Sequence, residues 1–309
     1  NFSMTKTKLL NVLLFSLFIS LIINYGFALY ESLVLNNSSV YEAMVNANFS
    51  QLMHRSYYCN YLLIGCIVIL DRLFKKENSW INMILFCLFS IGIFQTLAKS
   101  GILIYLLLIP VFILLQLLKT RKYKSIMLCF AVFMVSIMLL VKIENPVKTR
   151  FQLIPDAIEN FESKNNPSAE SNISRLLMWS ASIDIFKEFP LLGVGTGDYD
   201  DVLTSVNESY GNSGVAMHRY NSHNQFLNTL VQLGLLGLLV LMLLFFNGFK
   251  IAYQKKDIVA LFTLSCFFLN FLFESFIESQ AGIILFCLLP MALLYLKSKN
   301  QEDIVTTID

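Results

Sequence analysis

The segment LNTLVQLGLLGLLVLMLLFF at residues 227–246 carries no charged side chain over twenty consecutive positions. An α-helix of that length rises about 30 Å, which matches the hydrocarbon core of a bilayer. The whole chain of 309 residues has the same character, because 56% of it is hydrophobic, 14% is charged and the mean hydropathy is +0.63. Soluble domains carry about 25% charged residues, so a soluble enzyme is excluded and an all-α polytopic membrane protein is predicted.

Eight stretches are long and apolar enough to be predicted as transmembrane helices. They lie near residues 9–27, 57–74, 80–98, 101–118, 125–143, 223–247, 258–276 and 281–297. The predicted organisation is five N-terminal spans over 1–143, a large hydrophilic loop over 144–222, and three C-terminal spans with a tail over 223–309. Because the chain begins with Asn1 rather than Met, we expect upstream residues to be missing.

Basic residues predict the orientation of these spans, because Lys and Arg in short loops stay on the cytoplasmic side. Fourteen of the 23 basic residues form clusters that fall on one side of the predicted spans. They are Lys6, Lys8, Arg72, Lys75, Lys76, Lys119, Arg121, Lys122, Lys124, Lys250, Lys255, Lys256, Lys297 and Lys299. Both termini are therefore expected in the cytoplasm. The loop over 144–222 is expected outside.

Composition also limits the chemistry and the partners. The net charge is +2 and the basic residues are dispersed between apolar runs, so no nucleic-acid surface is predicted. The six cysteines fall in or at the edges of spans, and neither CxxC nor HExxH spacing occurs. With only three histidines, a zinc site is not expected, and we predict a mechanism without metal or cofactor.

The external loop is predicted to contain an amphipathic helix over residues 172–188, with Ser171 or Asn172 as its N-cap. The apolar stripe of this helix consists of Leu176, Trp179, Ile183 and Phe186. This stripe can lie at the membrane interface or pack on the transmembrane helices, and the pattern leaves both alternatives open.

Arg175 stands in the first turn of that helix, where the helix dipole gives a cation no advantage. A guanidinium group matches two phosphate oxygens at once and keeps its charge near lipid, so a phosphate ligand is one explanation for this residue. An ion pair with Glu170 or another loop carboxylate is the other explanation. The spacing alone does not separate the two.

The string PLLGVGTGDY at 190–199 follows this helix and holds Gly193, Gly195 and Gly197. It is not a dinucleotide fingerprint, because no strand precedes it and no βαβ unit surrounds it. A tight backbone turn is the favoured interpretation. Backbone amides that face an anion are the alternative.

Further polar residues lie at the outer ends of the predicted spans. His223, within YNSHNQ at 220–225, can act as a base or a hydrogen-bond donor near neutral pH, or simply cap the helix. Glu274 lies in an apolar span, where a carboxylate is costly, so we predict a functional or pairing role with Lys99 or an external arginine as its partner. His54, Arg55 and Lys99 are expected near the same surface.

Together these strings resemble the O-antigen ligase and O-antigen polymerase family of bacterial inner-membrane proteins. The resemblance is carried by the segment from Arg175 through Trp179 to PLLGVGTGDY, and by HNQFLNTLVQLGLLGLL at 223–239. Supporting strings are HRSYYCNYL at 54–62, LAKSGILIYL at 97–106 and FESFIESQAG at 273–282. The resemblance spans roughly residues 54–297. Family members often have Arg where Lys99 stands and carry further N-terminal spans, so we expect a truncated N-terminal half.

The resemblance implies transfer of a glycan from an undecaprenyl pyrophosphate carrier to an acceptor sugar hydroxyl at the periplasmic face of the inner membrane. The acceptor is the lipid A core in a ligase and the next repeat unit in a polymerase, and FESFIESQAG favours the polymerase. Arg175 and His223 are then the expected catalytic residues. The expected substrate-binding residues are Arg55, His54, Lys99, Asn224, Glu274, Gly193, Gly195 and Gly197.

In this interpretation Arg175, with Lys99 or Arg55, neutralises the departing diphosphate. His223 orients or deprotonates the acceptor hydroxyl and is held by Asn224 or a nearby carboxylate. Membrane lipids and polysaccharide assembly proteins are the further expected partners. Two other hypotheses remain open: a transporter that flips lipid-linked oligosaccharides, and a non-catalytic assembly subunit. Proximity of Arg175, His223 and Lys99 favours the enzyme.

Overall fold

The computed structural model describes residues 5–35, 39–45, 49–121, 142, 145–159 and 161–296, and every regular element in these ranges is helical. The helices are α1 Lys6–Leu33, α2 Val40–Ala43, α3 Arg55–Phe74, α4 Ser79–Gln95, α5 Lys99–Lys119, α6 Pro146–Glu159, α7 Ser171–Glu188, α8 Tyr199–Ser209, α9 Ser213–Met217, α10 Gln225–Gln254, α11 Ile258–Phe271 and α12 Gln280–Tyr295. A short 3-10 turn, Phe276–Glu278, precedes α12. The predicted all-α class is confirmed.

Four helices, α1, α3, α5 and α10, are long and apolar enough to cross a membrane. The helices α4, α11 and α12 are apolar but shorter. These seven helices coincide with seven of the eight predicted spans. The span expected near 125–143 lies outside the described residues except for position 142, so eight spans and their orientation stay predictions.

The described chain divides into two compact units. The first unit comprises Asn1–Val147, Gly248–Phe267 and Ile284–Asp309, and the second comprises Lys148–Asn247 and Phe268–Ile283. The second unit therefore combines most of the predicted external loop with the larger part of α10 and the turn before α12.

In the first unit, α3 is the most buried of the helices that can span a membrane. Small residues let its neighbours approach closely. A side chain at Gly65 of α3 would meet Phe89 of α4, and one at Gly101 of α5 would meet the Cys59 thiol of α3. The first turns of α3 and α5 therefore pack together.

In the second unit, α7 begins with a side-chain cap. The carboxylate of Glu170 accepts hydrogen bonds from the backbone amides of Asn172 and Ile173, at 2.7 and 3.1 Å. Glu170 is therefore the N-cap, and the expectation of Ser171 or Asn172 at this position is wrong. A carboxylate suits this place because it also interacts favourably with the positive end of the helix dipole.

The apolar face of α7 packs on α8, α9 and the first half of α10. The buried members of this core cluster are Leu177, Met178, Ala181, Ile185, Tyr199, Leu203, Val215 and Val231. The predicted stripe is not the buried face, because Ile183 is exposed while the positions next to the stripe point inward. A membrane-interface position for the stripe stays a prediction.

α10 is broken at Gly234, which has φ 62° and ψ −160°. The turn after α7 pairs with the backbone on both sides of this break. Val194 donates its amide to the Val231 carbonyl at 2.8 Å, and Leu235 donates its amide to the Pro190 carbonyl at 2.8 Å. Irregular backbone at membrane depth needs such partners, because lipid offers none.

Glycine is required where the turn and the helix cross. A Cβ at Gly234 would overlap the carbonyl group of Leu191, and a Cβ at Gly193 would overlap the carbonyl oxygen of Val231. Both glycines also have positive φ, at 62° and 67°, which L side chains rarely adopt. The string PLLGVGTGDY thus forms a tight backbone turn that is docked on α10.

Candidate active site

Glu274 is the centre of a polar cluster in the second unit. α11 ends at Phe271, so this carboxylate stands in the turn beyond the helix and not within it. The residue is 4% exposed. A buried carboxylate costs free energy unless charged or hydrogen-bonding groups face it.

Arg175 supplies the facing charge, because its Nη2 lies 3.0 Å from Oε1 of Glu274. The Nη1 of the same guanidinium donates to the Ser171 hydroxyl at 3.0 Å. Arg175 is therefore a partner of Glu274, as the arginine alternative predicts; a role for Lys99 stays a prediction. Glu170, the alternative partner of Arg175, caps α7 instead. The Nε of Arg175 is buried and has no hydrogen-bond partner among the described residues.

His223 approaches the other oxygen of the same carboxylate. Its Nδ1 lies 3.6 Å from Oε2 of Glu274, beyond hydrogen-bond length but close enough for electrostatic interaction. Within the described part of the chain, no hydrogen bond to the ring Nε2 is found. Glu274 thus lies between a guanidinium group and an imidazole ring.

The backbone of His223 is held in an unusual conformation. Its φ is 46°, in the left-handed region, and its amide donates to the side chain of Asn221 at 2.9 Å. Asn224 caps α10, because its side-chain oxygen accepts from the amides of Phe226 and Leu227. His223 is therefore not the helix cap, and the group that faces its ring is the carboxylate of Glu274 and not Asn224.

A buried cluster of hydroxyl groups fixes the residue before His223. The amide of Ser222 donates to the Tyr199 phenol at 2.9 Å, and the two hydroxyls lie 2.7 Å apart. Ser182 adds a third hydroxyl, 2.9 Å from that of Ser222. Trp179 donates from Nε1 to the Ser222 carbonyl at 2.9 Å.

Sequence reasoning missed Tyr199 and Ser222. The only signal was their position, since Tyr199 ends the glycine string and Ser222 precedes His223. Burial raises the pKa of the Tyr199 phenol well above its usual range, so this group stays a neutral hydroxyl that can donate and accept. Tyr199, Ser182 and Trp179 together hold Ser222, the residue before His223 in the strained segment.

A second carboxylate fastens the turn to α10. Oε1 of Glu278 accepts from the Asn228 amide at 2.5 Å and from the Gln232 amide at 3.1 Å. The side-chain oxygen of Gln225 accepts from the Ile277 amide at 2.9 Å. Gln225, Asn228 and Gln232 share one face of α10, and this face holds the Glu274–Glu278 turn in place.

Two of the three glycines predicted to bind substrate use their amides for hydrogen bonds to the backbone. The amide of Gly193 donates to the Phe189 carbonyl, and that of Gly195 donates to the Gln232 carbonyl at 2.9 Å. These two amides are already paired, which favours the turn over an anion site. A side chain at Gly197 would meet open space.

The other predicted substrate ligands lie in the first unit. His54 is the N-cap residue of α3, Arg55 is its first residue, and Lys99 is the first residue of α5. These three residues stand in or next to the first turns that pack together at Cys59 and Gly101. Their role in substrate binding stays a prediction.

An apolar chain whose described elements are all helical, with a buried carboxylate between a partly buried arginine and histidine, defines a membrane protein that carries an ionisable site. A family model described as O-antigen ligase matches residues 84–242, which is more than half of the chain. The chain belongs to the O-antigen ligase family, as the resemblance predicted. The matched region holds Arg175 and His223 and ends before Glu274. No curated protein matches the chain.

Membership in this family makes the chain a membrane protein of surface-polysaccharide assembly and an enzyme of glycan transfer.

Proposed function

We propose that this protein transfers a glycan from an undecaprenyl pyrophosphate-linked donor to a sugar hydroxyl at the periplasmic face of the inner membrane. The observation that carries the proposal is the position of Glu274, whose two oxygens face Arg175 and His223. This arrangement combines a cation for a leaving diphosphate with a base for an incoming hydroxyl.

His223 acts as the base. Because its Nδ1 faces Glu274, its Nε2 is the nitrogen that takes the proton from the acceptor hydroxyl. The acceptor oxygen then bonds to the anomeric carbon of the donor, and the bond from that carbon to the diphosphate oxygen breaks. The Glu274 carboxylate stabilises the imidazolium that forms.

Arg175 receives the leaving group. The diphosphate departs with the electron pair of the broken bond, and a guanidinium neutralises its charge. A buried Nε without a hydrogen-bond partner in the described chain carries a desolvation cost, which a phosphate oxygen would remove. No metal is needed for this role, and no nucleotide takes part.

The orientation that the basic residues predict for the spans supports the periplasmic side. The basic clusters predict cytoplasmic termini, which leaves the loop over 144–222, with eleven of the 21 acidic residues, on the other face. We favour repeat-unit polymerisation over ligation to the lipid A core because of the FESFIESQAG string. In the structure, that string builds the turn with Glu274 and Glu278.

The test is the length of surface polysaccharide on a gel, from cells that lack the native gene and express the full-length protein. Arg175→Ala and His223→Ala are each expected to remove long chains at matched expression. Retained single-repeat product indicates a polymerase, and loss of that product as well indicates a ligase. Arg219→Ala is the matched control, because Arg219 is an exposed arginine of the same unit that pairs with Asp201.

Unchanged ladders in both site variants would contradict the proposal. They would favour a flippase or a non-catalytic assembly subunit. Arg175→Lys separates charge from geometry, since lysine keeps the charge but loses the bidentate fork. We expect shortened chains from this variant.

Tyr199→Phe is expected to lower the turnover rate about tenfold while the KM for donor changes little. The variant keeps the ring in the core but leaves the buried Ser222 amide without its acceptor, at a cost of about 1–3 kcal/mol in stability. Turnover and KM are measured together in the purified, reconstituted protein.

Tyr210→Phe is the control for Tyr199→Phe, because among the described residues its hydroxyl donates only to Asp184, at 3.1 Å near the surface. We expect this variant to keep full turnover. Equal turnover in the two variants would remove Tyr199 from the positioning of His223.

A further inference from the structure

Two aromatic rings, those of Tyr220 and His218, lead from His223 onto the surface of the second unit. The ring of Tyr220 lies 5.9 Å from that of His223, with an interplanar angle of 56°. The ring of His218 stacks on Tyr220 at 5.3 Å and 21°. The centroids of His218 and His223 are therefore no more than about 11 Å apart.

This stack is not explained by the packing of the core. Tyr220 contacts the core cluster on one side, but His218 is exposed. Within the described chain, no side-chain hydrogen bond is found for His218 or Tyr220. Arg219, which lies between them in sequence, pairs with Asp201 instead. The protein thus keeps an open aromatic surface beside its proposed base.

We propose that His218 and Tyr220 bind a pyranose ring of the acceptor glycan by stacking. The C–H groups on the face of a pyranose carry small positive partial charges, and the face of an aromatic ring is negative. Stacking of this kind recognises a sugar ring without a charged ligand. The inference rests on the proposed function, because it names the substrate that the aromatic surface presents to His223.

The order of contacts assigns this surface to the acceptor and not to the donor. Arg175 contacts Glu274, Glu274 faces His223, and the ring of His223 contacts that of Tyr220, on which His218 stacks. In this sequence of contacts the cation for the diphosphate comes first and the aromatic surface comes last. His223 lies between them, where the hydroxyl of a stacked acceptor would meet the anomeric carbon of the donor.

The test measures binding without transfer. The probe is polysaccharide released by mild acid from the cells that make the protein, titrated against the full chain in lipid nanodiscs. His218→Leu and Tyr220→Leu are expected to weaken binding about tenfold, near the upper limit for an aromatic contact. His218→Phe and Tyr220→Phe keep an aromatic face and are expected to bind within about threefold of wild type.

Arg175→Ala distinguishes failure of this inference from failure of the proposed function. Glu274 and His223 come between Arg175 and the aromatic surface in the sequence of contacts, so this variant is expected to bind the released polysaccharide like wild type although it makes no long chains. Full binding by the two leucine variants overturns the aromatic site, whatever the ladders show. Loss of binding by His218→Phe also overturns it, because the imidazole and not the aromatic face would then be the ligand.

A third pattern contradicts the proposed function alone. If the leucine variants lose binding while Arg175→Ala and His223→Ala leave the ladders unchanged, the surface binds glycan but the transfer chemistry is wrong. Thermal melting of each variant confirms that exposed His218 was replaced without loss of the fold.

Discussion

Glu274→Ala is expected to lower glycan transfer by about 100-fold or more, because one carboxylate supports both reacting ends of the site. Its loss leaves the guanidinium of Arg175 without its ion-pair partner, 3.0 Å away, in a largely buried position. The imidazolium of His223 would form without a facing negative charge. Removing one partner of a buried ion pair costs about 3–5 kcal/mol, so the melting temperature is also expected to fall.

Glu274→Gln separates these two effects. The amide oxygen can still accept from Arg175, so the fold is expected to survive with only a small loss of stability. The neutral amide cannot stabilise an imidazolium, so transfer is expected to stay low. Melting temperature and transfer rate are measured on the same preparation, with Glu188→Gln at the exposed end of α7 as the control. Wild-type transfer by Glu274→Gln would show that the charge of Glu274 takes no part in the reaction.

The pairing of Glu274 was predictable because a carboxylate in an apolar segment costs free energy unless a charged or hydrogen-bonding group faces it. The sequence around Glu274 was enough to predict an ion pair, and Arg175, in the segment over 144–222, is one partner that the structure has. The approach of His223 to the same carboxylate needed the fold, since 51 positions separate the two residues. Only the turn between α11 and α12, fastened to α10 through Glu278, brings them together.

Other features depend on contacts that periodicity does not record. The stripe of Leu176 and Ile183 has correct helical spacing, but α8 and α9 cover the neighbouring face at Leu177 and Ala181. Glu170, and not Ser171, caps α7, because its side chain accepts hydrogen bonds from the amides of Asn172 and Ile173. Tyr199 has no sequence signature as the partner of Ser222, because its role depends on a hydrogen bond across 23 positions.

The break in α10 could not be predicted from the sequence either. The hydropathy over 227–246 is that of a continuous transmembrane helix, and a glycine in such a run does not by itself predict a break. What creates the break is the arrival of a second backbone segment, which supplies partners for the carbonyl and amide groups that α10 leaves open. The glycines of PLLGVGTGDY therefore act together with Gly234, although that string ends at Tyr199, 35 positions before Gly234.

Gly234→Ala is expected to destabilise the second unit by about 3 kcal/mol or more and to abolish polysaccharide synthesis. The backbone at φ 62° and ψ −160° lies in a region that essentially only glycine adopts. The added methyl group would also overlap the Leu191 carbonyl, so the turn must leave α10. The hydrogen bonds on both sides of the break are then lost, and polar backbone faces lipid.

Alanine substitutions at four glycines test this prediction, because the four positions differ in φ and in the room that a Cβ would have. Gly193→Ala should match Gly234→Ala, since it combines a φ of 67° with overlap at the Val231 carbonyl. Gly195→Ala has strain from a φ of 93° but open space, so a smaller loss is expected. Gly197→Ala has neither and is the control. The losses of membrane level, melting temperature and ladder length should be largest for Gly234→Ala and Gly193→Ala, smaller for Gly195→Ala and smallest for Gly197→Ala. Wild-type values for Gly234→Ala would show that α10 tolerates a continuous helix.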